Sequence, residues 1–201
     1  MVPCIALSKG RLEKAAIDFF EAEPLVDKGR KLCIETNRYR FIFAKGIDVA
    51  TYVEYGIADL GIVGEDILLE YQPDVFDLFP LSFGQCRFSL AGKPGHIVTG
   101  PKKRIATKYP NITLNYFRKR GESVDIVKLE GSVELAPVLG LADAIVDIVE
   151  TGSTLKENGL VVYDDIRPIS ARLIANRSAL KVKREVLKPL LERFQEKEVG
   201  A

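Results

Sequence analysis

Short apolar runs of strand length alternate with helix-compatible segments from one end of the chain to the other, and this alternation restricts the fold more than any other feature. Strand-like runs fall at residues 4–7, 39–43, 59–63, 76–81, 87–91, 104–107, 124–128, 144–149, 160–163 and 171–175. Helix-like segments open near Arg11, Asp48, Glu65, Asn111, Val133, Ser153 and Ser178. In the first of them Leu12, Ala15, Ala16, Phe19 and Phe20 share one face. The last carries Leu180, Leu187, Leu190, Leu191 and Phe194 among charges, with Pro189 expected to kink it. Strands and helices in turn mean an α/β protein with largely parallel sheets. At 201 residues and 47% hydrophobic composition the chain can bury one core or two small ones. Ala91-Gly92-Lys93-Pro94-Gly95 reads as a crossing between two lobes, and Arg167-Pro168 as the return. The domains expected are 1–90 with 171–201, and 91–170, with a central cleft. Open α/β sheets bind ligands in such clefts, at the carboxyl ends of their strands.

Charge and composition exclude several classes. The 29 basic and 28 acidic residues leave a net charge of +1, which offers no bulk attraction to nucleic acid. No apolar run approaches the roughly 20 residues of a membrane span. The opening Met1-Val2-Pro3-Cys4-Ile5-Ala6-Leu7 lacks the basic flank and the length of a signal peptide, so a cytoplasmic location is expected. Cys4, Cys33 and Cys86 form no metal-type pair and read as reduced, mostly buried thiols. His96 is the single histidine and sits in a loop composition. Zinc sites and serine hydrolases need more, so chemistry here falls to carboxylates, Lys, Arg, hydroxyls and backbone amides.

One turn has the makings of a site. The apolar run 144–149 ends in Glu150-Thr151-Gly152-Ser153-Thr154, and a helix-compatible segment follows. A strand feeding a glycine and hydroxyl turn into a helix presents N–H groups and the positive end of a dipole. Gly152 permits close approach of an anion, while Thr151, Ser153 and Thr154 add hydroxyl donors. A phosphate monoester suits such a turn. Asp147 is wrong for the phosphate but right for a pair of sugar hydroxyls, and ribose 5-phosphate satisfies both. The plain alternative is a helix capped by Ser or Thr with no ligand. The spacing is not that of a Walker loop. Upstream, Glu134 stands in the first turn of a helix after Gly131-Ser132, either capping it or reaching toward the cleft.

The run from Glu134 through Gly140, Ala142, Ile145, Asp147 and Ile148 to Thr151-Gly152-Ser153-Thr154-Leu155 resembles the signature of the ATP phosphoribosyltransferase family. "ALSKGRL" at 6–12, "DVATYVEYGIADLGIVGEDILLE" at 48–70 and "RIATKYPN" at 104–111 agree with it in the same order. The chain is similar in length to the family's short form, which lacks a C-terminal regulatory domain. The resemblance implies a two-lobed fold like that of type II periplasmic solute-binding proteins. It implies the first step of histidine biosynthesis. Adenine N1 of ATP attacks the anomeric carbon of 5-phosphoribosyl 1-pyrophosphate, and pyrophosphate leaves with Mg²⁺. That nitrogen already carries a lone pair, so no strong base is required. The difficulty is the meeting of two polyanions, which calls for fixed cations and metal.

By the same resemblance Lys9 and Arg11, after the first strand, face the pyrophosphate and the ATP phosphates. Arg30, in "DKGRKL", helps stabilise the leaving pyrophosphate, within its own subunit or across a subunit interface. Residues 151–154 hold the 5-phosphate, Asp147 takes ribose hydroxyls, and Glu134 lies near the ribose. Asp66 either caps the helix it starts or lies near the nucleotide, and Lys108 adds positive potential or is solvated. Mg²⁺ is held mainly by substrate phosphates, with no protein metal site. Two positions depart from the family pattern: Ala50 where proline is common, and Lys45 where arginine is common. The resemblance also implies a homodimer that joins a regulatory subunit related to histidyl-tRNA synthetase. A non-enzymatic sensor and an inactive assembly subunit are the alternatives.

Overall fold

The structure is a computed structural model and describes residues 2–20, 29–95 and 103–199. His96 lies outside the described residues. Contacts divide the chain into two compact units, Met1–Gly84 with Ser170–Ala201, and Gln85–Ile169.

The first unit holds β1 (Cys4–Ser8), α1 (Glu13–Phe19), β2 (Cys33–Glu35), β3 (Arg40–Ala44), α2 (Gly46–Glu54), β4 (Leu60–Gly64), α3 (Glu65–Tyr71) and β5 (Phe76–Pro80). The second holds β6 (Cys86–Gly92), β7 (Lys103–Thr107), α4 (Pro110–Lys119), β8 (Val124–Lys128), α5 (Leu135–Val138), β9 (Ala144–Val149), α6 (Ser153–Glu157) and β10 (Val161–Ile169). The chain then returns to the first with β11 (Ala171–Ala175), α7 (Ala179–Val182) and α8 (Arg184–Val199). The sequence places the divisions at 90/91 and 170/171. The observed ones fall at 84/85 and 169/170, because β6 pairs along its length with β9 and β10.

The first sheet has the order β2-β3-β1-β4-β11-β5. Its centre is parallel, with β1 between β3 and β4, while β2, β11 and β5 run antiparallel to their neighbours. Every residue of β1 is buried, as expected of a strand covered on both faces. Alternation divides its side chains. Ile5 and Leu7 join Phe41, Phe43, Leu60, Ile62 and Leu173 beneath α1 and α8, where Phe19, Phe20 and Phe194 interlock. Cys4 and Ala6 face the other way, toward Val49, Ala50 and Val53 of α2 and Ile67 of α3. Gly61 explains how closely α2 lies on the sheet. A Cβ there would meet Val53 Cγ2 at 2.8 Å and Val49 Cγ1 at 3.1 Å.

The second sheet has the order β10-β6-β9-β7-β8, with β9, β7 and β8 parallel and β6 and β10 antiparallel. Ile145 and Val149 of β9 pack with Ala91, Ala106, Val133, Ala136, Leu155 and Leu160. Both sheets are therefore mixed, and the expectation of largely parallel sheets holds only for β3, β1 and β4 in the first and for β9, β7 and β8, out to the sheet edge, in the second. The final helical segment is interrupted at Lys183, between α7 and α8, while Pro189 lies inside the continuous α8. Of the cysteines only Cys4 is buried, and burial pushes its thiol pKa up. Cys33 is exposed on the edge strand β2, contrary to the expectation of mostly buried thiols. No described helix is long and apolar enough to cross a membrane.

Candidate active site

In the second unit the site is built on the carboxyl end of β9. Side-chain alternation puts Asp147 on the face of Ile145 and Val149, half-buried and directly opposite Ser89 of β6. After Val149 the chain turns through Gly152 at φ +79°, a left-handed conformation that an L side chain adopts only with strain. Space is not the constraint there, since a Cβ would lie 3.7 Å from Val149 Cγ1. Gly152 is also the N-cap of α6, which therefore starts with no side-chain cap. The plain alternative of a Ser or Thr N-cap is not what forms. Thr151 Oγ1 accepts the N–H of Ser153 at 3.3 Å and lies 3.1 Å from Ser153 Oγ. Thr151, Ser153 and Thr154 are exposed, while Leu155 anchors α6 in the apolar cluster. The turn thus offers hydroxyls and first-turn N–H groups outward on a fixed base.

Arg87 of β6 borders this turn and was not singled out by the sequence. It stands opposite Val149 in the ladder. Its Nε donates to Asp165 Oδ1 at 2.7 Å, and one Nη donates to the Glu150 carbonyl at 3.4 Å. The Ser89 hydroxyl and then the Arg87 guanidinium hold the Asp165 carboxyl below its ordinary range. The available signal was a strand, "CRFSLAG", that alternates Arg87 and Ser89 with buried Phe88 and Leu90.

Glu134 precedes α5 and is half-buried, with no side-chain cap bond. The helix expected at Val133 is only the four-residue α5, entered through Ser132 at φ +48°. Lys108 follows β7, its Nζ 5.9 Å from the centroid of the Tyr109 ring. The parallel register of β9, β7 and β8 therefore gathers residues 151–154, Lys108 and the approach to Glu134 at one end of this sheet.

The first unit gathers a different set. Ser8 pairs with Ala44, so Lys9 and Lys45 leave the ends of adjacent strands, and the Lys9 N–H donates to the Ala44 carbonyl at 2.8 Å. Gly10 takes φ +90°, and its N–H donates to Glu13 Oε2 at 3.4 Å. A carboxylate of the chain itself thus reaches the amide of this turn between β1 and α1. Because this turn intervenes, α1 begins at Glu13 rather than at Arg11. Lys9 and Arg11 are exposed, and Arg11 Nη2 lies 3.5 Å from the Gly84 carbonyl. Arg30 is exposed in the turn before β2. The antiparallel β2–β3 pairing, with Cys33 opposite Ile42, brings that turn to the same end as Lys9 and Lys45.

Asp66 lies in the first turn of α3, where its carboxylate complements the helix dipole. It folds back so far that a Cβ on Gly64 would lie 2.1 Å from its Oδ1. Four cations, Lys9, Arg11, Arg30 and Lys45, thus stand with Asp66 at the carboxyl end of the parallel strands. Ala50 is 1% exposed in the core, so that departure concerns packing, whereas Lys45 is exposed at the head of α2. Among the described residues no group of three or more His, Cys, Asp or Glu side chains could hold a metal ion.

The comparisons with known proteins agree in kind. The family profile of ATP phosphoribosyltransferase matches residues 45–196. The ATP phosphoribosyltransferase of Clostridium kluyveri is 52% identical over 95% of this chain and 91% of its own length. A chain of the solved ATP phosphoribosyl transferase (HisG:HisZ) complex from Thermotoga maritima superposes with a TM-score of 0.86. That match has 37% identity and covers 100% of both chains. The periplasmic aliphatic sulphonate binding protein SsuA of Escherichia coli gives a TM-score of 0.62 at 12% identity, over 98% of this chain and 72% of that one. This last likeness shows the fold alone, the two-lobed type II architecture. Matched over most of its length by the profile and at full coverage by a solved relative, the chain belongs to the ATP phosphoribosyltransferase family.

Proposed function

We propose that the chain carries out its family's reaction with residues 151–154 as the seat of the sugar's 5-phosphate. The observation that carries this reading is the uncapped turn at Gly152, with Asp147 on the strand that feeds it. The hydroxyls of Thr151, Ser153 and Thr154 and the adjoining N–H groups bind the phosphate. Asp147 accepts hydrogen bonds from the ribose hydroxyls, and Glu134 stands near the same ring. Held at both points, the anomeric carbon presents one face to adenine N1. The N1–C bond forms as the C–O bond to pyrophosphate breaks, and the departing oxygen keeps the electron pair.

Lys9, Arg11 and Arg30 stabilise the charge that builds on the leaving group, with Lys45 as a further cation for the phosphates of ATP. Arg suits this best, because its fork takes two oxygens at once. Asp66 keeps to the helix start in this reading. Mg²⁺ bound to the pyrophosphate would neutralise part of its charge. The donor set fits a metal that arrives on its phosphates and takes one or two carboxylates at most.

We also propose a homodimer that binds a regulatory subunit of the kind named in the Thermotoga complex, acting in the cytoplasm. Sizing the chain alone and after co-expression with that subunit tests this, and a monomer in both states would contradict it. The catalytic reading is tested by mixing chain, ATP, phosphoribosyl pyrophosphate and Mg²⁺ and following the absorbance of the N1 adduct. Asp147→Ala and Thr154→Ala should weaken phosphoribosyl pyrophosphate binding, and Arg11→Ala should mainly slow turnover. Wild-type kinetics in all three would remove the placement. Stoichiometric binding without any adduct would favour the sensor.

A further inference from the structure

The ion pair of Arg87 and Asp165 lies beside the turn after β9, and the reaction as described leaves it without a role. The ladders define its position. Ser89 of β6 stands opposite Asp147 of β9 on one side and opposite Asp165 of β10 on the other. Residues directly across a ladder share a face, so Asp165, Ser89 and Asp147 form one row over three strands. Ser89 is fully buried, and its hydroxyl donates to Asp165 Oδ1 at 2.7 Å. Arg87 donates to the same oxygen at 2.7 Å. The other end of the guanidinium reaches the carbonyl of Glu150, the residue immediately before Thr151. One rigid fork therefore spans from a carboxylate on β10 to the last carbonyl before the turn. A lysine has a single point of charge and cannot hold both ends.

We infer that Arg87 is a positioning residue for the sugar-phosphate seat. Through the Glu150 carbonyl it fixes the exit of β9, and with it the direction in which residues 151–154 present their donors. By pairing with Asp165 it also occupies a carboxylate that would otherwise lie near an incoming anion. Arg87 acts through the turn and need not touch the ligand. The inference rests on the reading of residues 151–154 as the phosphate segment.

The test is calorimetric titration of the purified chain with ribose 5-phosphate and, separately, with pyrophosphate, in wild type, R87Q, R87K and T154A. R87Q should weaken ribose 5-phosphate about tenfold, the scale of one lost hydrogen bond to a charged donor. R87K should fall between R87Q and wild type, and pyrophosphate affinity should not change. A thermal melt of each variant accompanies the titrations, and R87K carries the comparison if R87Q does not fold. Unchanged ribose 5-phosphate affinity in R87Q, beside a weakened T154A, overturns the role of Arg87 and leaves the phosphate segment standing. No loss in either variant overturns the segment and the inference together. A loss in R87Q with T154A unchanged makes Arg87 a direct ligand and removes its action through the turn. Equal losses for both ligands, with a lowered melting temperature, reduce it to general support of the fold.

Discussion

The ammonium of Lys183 lies 2.8 Å from Asp59, a carboxylate that is 4% exposed at the start of β4. Asp59 also accepts the backbone N–H of Cys4 at 2.8 Å. One residue thus fastens the first strand and the break between α7 and α8. Lys183→Met leaves a buried carboxylate with a single N–H partner and should cost roughly 3 kcal/mol of stability. Urea unfolding measures it, and a loss below about 0.5 kcal/mol, the range of ordinary surface changes, would show the pair to be incidental.

Gly61 bears on how α2 is seated. In Gly61→Ala the new methyl would stand 2.8 Å from Val53 Cγ2, so helix and sheet must part. Overpacking of this kind costs about 1–3 kcal/mol. The melting temperature should fall while the m-value stays constant. An unchanged melt would mean that α2 yields freely.

Gly152→Ala separates conformation from space. A Cβ there meets nothing closer than 3.7 Å, yet φ is +79°. The strain of a left-handed alanine is on the order of 1–2 kcal/mol. The turn should relax toward ordinary φ and lose ribose 5-phosphate affinity by more than its loss of stability. Wild-type affinity in a folded variant would show that the left-handed turn is not needed for the phosphate.

Tyr116 sets an alkaline limit. Burial, and then the bond its hydroxyl donates to Asp164 Oδ2 at 2.6 Å, push its pKa up to about 12. An unfolded tyrosine titrates near 10, so the folded chain holds this proton longer. Its contribution to stability is complete below about pH 10 and declines as pH rises toward 12. Tyr116→Phe should flatten that decline in urea midpoints taken between about pH 9 and 12. An identical decline in the variant would assign the alkaline loss to other groups.

Elements with strong periodicity were readable from the sequence, and β8, β9 and β11 fall at the residues expected. β2 was not, because it is only three residues long and forms a strand only by pairing with β3. The antiparallel edges were hidden for a related reason. The direction of a strand is set by its partner, and nothing in residues 171–175 announces that β11 enters between β4 and β5. The turn at Gly152 was legible because glycine and hydroxyls at a strand end have a local physical meaning. Arg87 was not, since its significance lies in Asp165 and Glu150, far along the chain. The acceptance of the Gly10 N–H by Glu13 was hidden as well, because it depends on how the turn closes.

The insertion of β11 inside the first sheet has a consequence for synthesis. Everything from Gln85 to Ile169 is contiguous and can fold as it leaves the ribosome. The first unit cannot, because the place between β4 and the edge strand β5 waits for residues 171–175, and the aromatic cluster around Phe19 waits for Phe194. The half that is translated first is therefore the half that is finished last. In a chain that ends at residue 169 and has been released from the ribosome, protease should cut within 1–84 while 85–169 resists.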